Sequence, residues 1–255
     1  MKVKKLLMSL KPIKYYVKGT KFLNNTIYLD VQKKNQEEIL KKPSRTEIIN
    51  FLLSLKKRST NYLEIGVRNP EHNYNHIQAG IKYSVDPGIE FTDNTVDFRM
   101  TSNEFFQKLS ANEILSNDVK FDVIFIDGLH LAQQVDNDIQ NALKYIKDEG
   151  FIVLHDCNPP TEWHARETYR YYDTPANKLW NGTTWKAFLK WRYNPLVYSC
   201  CIDSDWGIGI ISKWYQIGKN IEPTNPFFEF KLLAENRKYY LNLIDFESFK
   251  KSIQK

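Results

Sequence analysis

The chain predicts an α/β fold with a doubly wound, mostly parallel sheet. Three observations lead there. Between residues 61 and 157, short apolar runs alternate with stretches of helical spacing, the order that builds right-handed strand–helix–strand crossovers. The run "FDVIFIDG" is almost continuously apolar, as a strand covered on both faces must be. The runs also end on glycine or acid: Gly66, Asp86, Asp127 and Asp156. In an open sheet, ligands collect beyond the carboxyl ends of the strands, so those residues share one rim.

The elements follow in order. Residues 1–45 are basic, then rich in Lys, Asn and Gln. In "SRTEIINFLLSLKK", Ser44 or Thr46 can cap a helix whose Ile48, Ile49, Leu52 and Leu53 keep helical spacing. "NYLEIGV" reads as a first strand, "NPEHNYNHIQAGIK" as a modest helix and "YSVDPG" as a second strand. "NTVDFRMTSNEFFQKL" predicts a third short strand and then a helix from near Ser102. "FDVIFIDG" is the fourth strand. In "LAQQVDNDIQNALKYIK", Val135, Ile139, Leu143 and Ile146 form one apolar stripe, with Asp136 and Asp138 off it. "DEG" ends that helix and "FIVLHDC" is the fifth strand. Residues 160–195 are dense in Trp, Tyr and Arg. "LVYSCCIDSDWGIGIIS" predicts two strands joined by a turn at Ser204–Asp205, and a helical tail follows from about 214.

Composition narrows the class. With 255 residues and 42% hydrophobic residues, one globular domain with extensions is expected. No Gly/Ser or Pro-rich linker divides it, and no apolar run approaches a membrane span. The net charge is +6, yet residues 1–22 alone hold seven lysines and no acid. The basic character is therefore a property of the N-terminal arm, and the rest is close to neutral. A solvated arm competes with weak contact to an anionic membrane surface or glycan. Nucleic acid is not an expected partner, because no binding motif accompanies the arm. Cys157, Cys200 and Cys201 have no metal or CxxC spacing, which fits a reducing, cytoplasmic compartment.

The rim acids suggest chemistry. Asp86 lies 20 residues after Gly66, where an acid can bind ribose hydroxyls. The loop "GVRNPE" lacks the G-x-G-x-x-G that a dinucleotide requires, so an adenosine compound other than NAD or FAD is expected. Two acid–histidine pairs, Asp127 with His130 and His155 with Asp156, close the fourth and fifth strands.

Taken together, "YLEIGV", "SVDPG", "FDVIFIDGLH" and "IVLHDC" resemble the class I S-adenosylmethionine-dependent methyltransferases. The branch most similar is that of sugar and small-molecule O-methyltransferases from glycan and antibiotic clusters. The resemblance covers roughly residues 45–212. It implies a Rossmann-like sheet of seven strands, helices on both faces, and a final antiparallel hairpin. Between the basic arm at 1–45 and the helical extension at 214–255, it implies a methyltransferase domain at 46–213 with an acceptor-binding insertion at about 160–195. Glu64 and Gly66 would face the methionine part of S-adenosylmethionine, Asp86 the ribose, and Thr101 and Ser102 the adenine, with Asp127 beside the cofactor. Arg68, Pro70 and Asn103 depart from the family's pattern.

Two mechanisms remain open. His130 or His155 would act as a general base oriented by Asp127 or Asp156. Alternatively, Asp127 and Asp156 would hold Mg2+ or another divalent metal, with His155 assisting. Cys157 and His155 stand where relatives often carry oxygen ligands, which weakens the magnesium set. His72, His76 and His164 have lesser claims. Trp180, Trp185 and Trp191 could stack on a sugar or base, and Arg166, Arg170 and Arg192 could pair with phosphate. The expected activity is methylation of a hydroxyl on a sugar or sugar nucleotide in capsule or lipopolysaccharide synthesis. A metal-dependent enzyme for another small molecule and a non-methylating cofactor-binding protein are the alternatives. A homodimer through the arm or the aromatic segment is an open expectation.

Overall fold

The computed structural model describes residues 10–91, 93 and 95–253. The first nine residues of the basic arm, with Lys2, Lys4 and Lys5, lie outside the described residues. Seven strands form one sheet: β1 (Asn61–Ile65), β2 (Ile81–Val85), β3 (Phe121–Ile126), β4 (Ile146–Leu154), β5 (Tyr198–Ile202), β6 (Ile208–Ser212) and β7 (Leu243–Ile244). Their spatial order is β2-β1-β3-β4-β6-β5-β7. The β2, β1, β3 and β4 strands run parallel, while β6 is antiparallel to both β4 and β5. The final hairpin is thus present.

Alternate side chains of each strand enter two different cores. Ile124, Ile126, Ile152 and Leu154 pack beneath α4 (Ser102–Ser110), α5 (Ala132–Tyr145) and α6 (Thr184–Arg192), through Phe105, Val135, Ile139 and Phe188. Val123, Phe125, Phe151 and Val153 point the other way. They pack beneath α3 (Arg45–Ser54) through Ile48, Ile49, Leu52 and Leu53, and beneath α9 (Phe246–Ile253) through Phe249. Every residue of β3 is buried, because both faces of its strand are covered.

Four local expectations change. Residues 95–100 supply only an isolated Val85–Phe98 bridge instead of a strand, and the two-residue β7 makes the seventh. The segment 70–76 forms two short 3-10 turns, Pro70–His72 and Tyr74–His76, because Asn69 and Asn73 interrupt it. The helix α5 stops at Tyr145, and β4 already begins at Ile146, with a register shift opposite Phe121–Val123. "DEG" therefore lies inside a strand. Within the arm, residues 11–40 form α1 (Lys11–Leu23) and α2 (Thr26–Leu40), and α2 buries Val31, Asn35 and Glu38 against the body.

Candidate functional site

The β1, β2, β3 and β4 strands deliver their carboxyl ends to one cavity of about 620 Å³, lined by Glu64, Gly66, Asp86, Thr101, Ser102, Asp127, His130, His155 and Asp156. That volume suits a cofactor-sized ligand. Gly66 has φ +90°, and an added Cβ would lie 2.4 Å from the Asp127 carbonyl and from Gly128 Cα. Only glycine lets the ends of β1 and β3 approach this closely. Asp86 Oδ1 accepts the Gly88 N–H at 2.6 Å, which fixes the carboxylate. Burial raises the Asp86 pKa more than that hydrogen bond lowers it. Thr101 caps α4 in a reciprocal capping box with Glu104, holding Ser102 at the helix start.

Glu64 is buried at the end of β1. It accepts hydrogen bonds from Tyr62 Oη at 2.6 Å and Asn73 Nδ2 at 2.9 Å. Burial pushes its carboxyl up to about 7 despite both donors. Beside Ser102 on the cavity wall, Asp138 is buried, accepts from Gln134 at 2.9 Å, and is pushed by burial to about 6. Sequence reading placed Asp138 off the apolar stripe without seeing that it faces the cavity.

The two acid–histidine pairs meet in a single network. His130 Nε2 lies 3.3 Å from Asp127 Oδ1, and its Nδ1 lies 3.0 Å from Asp156 Oδ2. His155 Nδ1 lies 3.1 Å from Asp127 Oδ1 and 3.2 Å from Asp156 Oδ2. Its Nε2 lies 3.1 Å from Asp205 Oδ1. Arg45 donates from Nη1 to Asp127 Oδ2 at 3.1 Å. The same nitrogen sits 3.1 and 2.9 Å from the two ring nitrogens of His155, so the guanidinium lies against the ring. The Arg45 backbone N–H donates to Asp205 Oδ2 at 2.7 Å. Asn181 Nδ2 donates to Asp156 Oδ1 at 2.7 Å.

Three carboxylates thus face one arginine and two imidazoles. Burial would discharge the histidines, but the carboxylates outweigh it. His130 rises to about 9 through Asp156 and Asp127. His155 rises well above its ordinary value through Asp127 and Asp156, against Arg45. Conversely, burial would raise Asp127, yet His155, Arg45 and His130 hold it well below the usual carboxylate range. Asp205 falls to about 2, because His155 and Arg45 outweigh its burial. With both rings charged, three positive charges balance three negative ones. Asp156 also adopts φ +63°, a left-handed backbone that costs a non-glycine residue of order 1 kcal/mol or more.

Sequence reasoning missed Arg45 and Asp205. Arg45 is the first helical residue after the Ser44 capping box, which aims it from α3 across the rim. Asp205 lies in the β5–β6 turn, where Asp205, Trp206 and Gly207 all have positive φ.

The aromatic segment divides. Trp180 lines the cavity and stacks on His130 at 5.1 Å and 16°. Trp185 does not reach it: the side chain is 1% exposed and packs edge-on against Phe230. Arg166 bonds the carbonyls of Trp163, Leu179 and Asn177, so it braces the loop. Arg170 is exposed and outside the cavity. Trp191 donates to Asp136 and Arg192 to the Ser199 carbonyl, both as interior ties. His164 is fully buried and bonded to Thr161 and Asn35, away from the cavity. His72 lines the cavity mouth and His76 does not. Cys157 is buried, and burial holds its thiol well above the ordinary value.

One oxygen or nitrogen each from Asp127, His130 and Asp156 lies within 4.8 Å of the others, a spacing that could hold a metal ion. The metal-compatible set therefore includes His130, where the sequence pointed to His155 as the assisting group. His155 is turned between Asp127, Asp156 and Asp205.

Residues 33–157 match the family described as a methyltransferase domain. No curated protein matches the chain. Among solved structures, similar chains include the O-methyltransferase from Bacillus cereus in complex with SAH. It is 18% identical, with 78% of this chain and 95% of that chain covered and a TM-score of 0.40. The O-methyltransferase TomG from Streptomyces achromogenes, involved in tomaymycin synthesis and bound to SAM, is 11% identical. That likeness covers 74% of this chain and 90% of that chain, with a TM-score of 0.41. MycE, a methyltransferase of the mycinamycin pathway in complex with Mg, SAH and mycinamycin VI, is 14% identical. It covers 71% and 51% of the two chains, with a TM-score of 0.41. The matched residues 33–157 carry the first five rim residues of the cavity and both acid–histidine pairs, so the likeness to a methyltransferase domain falls on the site itself.

Proposed function

We propose that the protein transfers a methyl group from S-adenosylmethionine to a hydroxyl of a sugar or sugar nucleotide, in the synthesis of a surface glycan. The observation that carries this reading is the placement of the Asp127–His130–His155–Asp156 network in the same cavity as Gly66 and Asp86. The donor supplies an electrophilic methyl on a sulfonium. Asp86 would accept hydrogen bonds from the ribose, and Glu64 would face the amino-acid end. A carboxyl at about 7 ionises readily when an ammonium approaches, so donor binding would release a proton at neutral pH.

The acceptor hydroxyl must lose its proton as it attacks. His130 is the best placed base, at the mouth of the network and stacked on Trp180. With a pKa near 9 it is mostly charged at neutral pH, so its basic form grows as pH rises. Asp156 orients the ring through Nδ1 at 3.0 Å, and the longer Nε2 contact to Asp127 at 3.3 Å would have to open so that Nε2 can take the acceptor proton. His155, clamped on both sides, holds Asp127 and Asp205 in place. The donor set also fits a divalent cation: Asp127, His130 and Asp156 would hold it, and its Lewis acidity would lower the pKa of the acceptor hydroxyl. With an imidazole among two carboxylates, the set suits Mn2+, which takes a nitrogen ligand more readily than Mg2+ does. Trp180 and Tyr169, packed on each other at 5.3 Å, offer an aromatic wall of the kind sugar rings stack on.

Calorimetric titration with S-adenosylhomocysteine, in EDTA and then with Mg2+ or Mn2+, tests the reading. Micromolar binding is expected, followed by methylation of sugar nucleotides. Absence of binding in all three conditions would overturn it. Turnover that survives EDTA favours the His130 base, whereas turnover restored only by metal favours the cation.

A further inference from the structure

We propose that α1 docks on an anionic membrane surface, lying in the plane of the headgroups and anchoring the protein there. The helix "KPIKYYVKGTKFL" holds four lysines and no acid, and it buries no residue. At 100° per residue, Lys11, Lys14, Lys18 and Lys21 fall in one continuous stripe. Tyr16 and Leu23 flank Ile13 and Val17 on another side, and Tyr15 and Phe22 border the lysines. Tyr16 is 76% exposed, Tyr15 64%, Leu23 52% and Phe22 49%, so these large side chains have little packing on the body. A lysine stripe beside exposed aromatic and aliphatic groups is the pattern of an interfacial helix. Thirteen residues make a helix of about 20 Å, too short to cross the ~30 Å hydrocarbon layer. No helix among the described residues is long and apolar enough to span.

Charge selects the occupant. A second copy seated on α1 through a twofold axis would set one lysine stripe against another, whereas acidic headgroups complement it. The three further lysines at positions 2, 4 and 5 add charge of the same sign.

Docking would be transmitted to the cavity. Phe22 packs on Tyr28 of α2 at 5.0 Å. In turn, Asn35 Oδ1 accepts from His164 Nε2 at 2.7 Å, and Gln32 donates to the Pro175 carbonyl. Burial holds His164 down to about 3, so its ring is neutral and this tie persists at physiological pH. The segment so anchored, 161–180, supplies Tyr169, Lys178 and Trp180 to the cavity wall. A membrane-bound α1 is thereby tied, through α2, to the segment that forms this wall of the cavity.

The test is flotation of the full chain with vesicles of phosphatidylcholine alone and of equal parts phosphatidylcholine and phosphatidylglycerol. No donor or acceptor is present, so the result is independent of the methyl-transfer reading. Binding only to the anionic vesicles, weakened by salt, is expected. The combined variant Lys11→Gln, Lys14→Gln, Lys18→Gln and Lys21→Gln should lose at least a hundredfold in affinity, from about fivefold per lysine. All four lysines are exposed, so its melting temperature should match the wild type. The variant Tyr16→Ser with Leu23→Ser should weaken binding without changing its salt dependence. Equal binding to both vesicles, no binding to either, or a dimer that disappears in the lysine variant would each overturn the proposal.

Discussion

Asp86 follows the last residue of β2, and the Gly88 N–H fixes one of its carboxylate oxygens at the cavity rim. If the other oxygen receives ribose hydroxyls, Asp86→Ala should weaken S-adenosylhomocysteine binding about 10–100-fold, the usual scale for hydrogen bonds to a charged group. Calorimetry would read this, and unchanged affinity would remove Asp86 from the donor site. His130→Gln should do the opposite. Turnover should fall about 10²–10⁴-fold, the range for loss of a general base, while donor affinity stays near wild type. Asp86 and the two acid–histidine pairs were legible in the sequence because each ends an apolar run. Arg45 and Asp205 were not. Both are contributed by residues distant in the chain, and their roles depend on where a helix cap and a hairpin turn come to rest. Trp185 was misread because aromatic density alone does not separate a wall residue from a core residue.

At the scale of elements, Gly66 is the joint between β1 and the cavity. Gly66→Ala would add a left-handed strain at φ +90° and a Cβ 2.4 Å from the Asp127 backbone. A loss of roughly 2–5 kcal/mol is expected, the sum of backbone strain and overpacking. Urea denaturation of the variant would measure it. A cost within 1 kcal/mol would mean that β1 and β3 can separate at this end. The strands and α3–α5 were readable because apolar residues repeat with a clear period or run unbroken. The misread elements share a cause. The alternation of Val96, Phe98 and Met100 mimics a strand, but the segment pairs through a single bridge beside β2. The β7 strand has two residues and no pattern to detect. Ile146 continues the spacing of α5 while the backbone has already extended into β4.

For the whole molecule, the buried charges set the pH range of stability. Glu64 has a folded pKa of about 7 against 4.5, and Asp138 about 6 against 3.8. Both are carboxyls raised by burial, so the folded state prefers their protonated forms. Their stabilising contribution is fully present below the unfolded pKa and is lost as pH rises through the folded one. For Glu64 that window is pH 4.5 to about 7. Asp205 works in the other direction: its folded pKa of about 2 contributes stability above pH 3.8, which is lost as pH falls through 2. The two raised histidines add a further decline on the alkaline side, above pH 6.5. The ligand-free protein should therefore melt highest near pH 4–5 and progressively lower through neutrality. Glu64→Gln keeps an oxygen that accepts from Tyr62 and Asn73 but cannot ionise. It should flatten the decline between pH 4.5 and 7 by about 3 kcal/mol, at 1.36 kcal/mol per pKa unit. Chemical denaturation of both proteins across that window would measure the difference. Parallel curves would show that Glu64 is ionised in the fold at pH 5. Saturation with S-adenosylhomocysteine should flatten the wild-type curve in the same window, because the ligand's ammonium would favour the ionised carboxylate that burial disfavours.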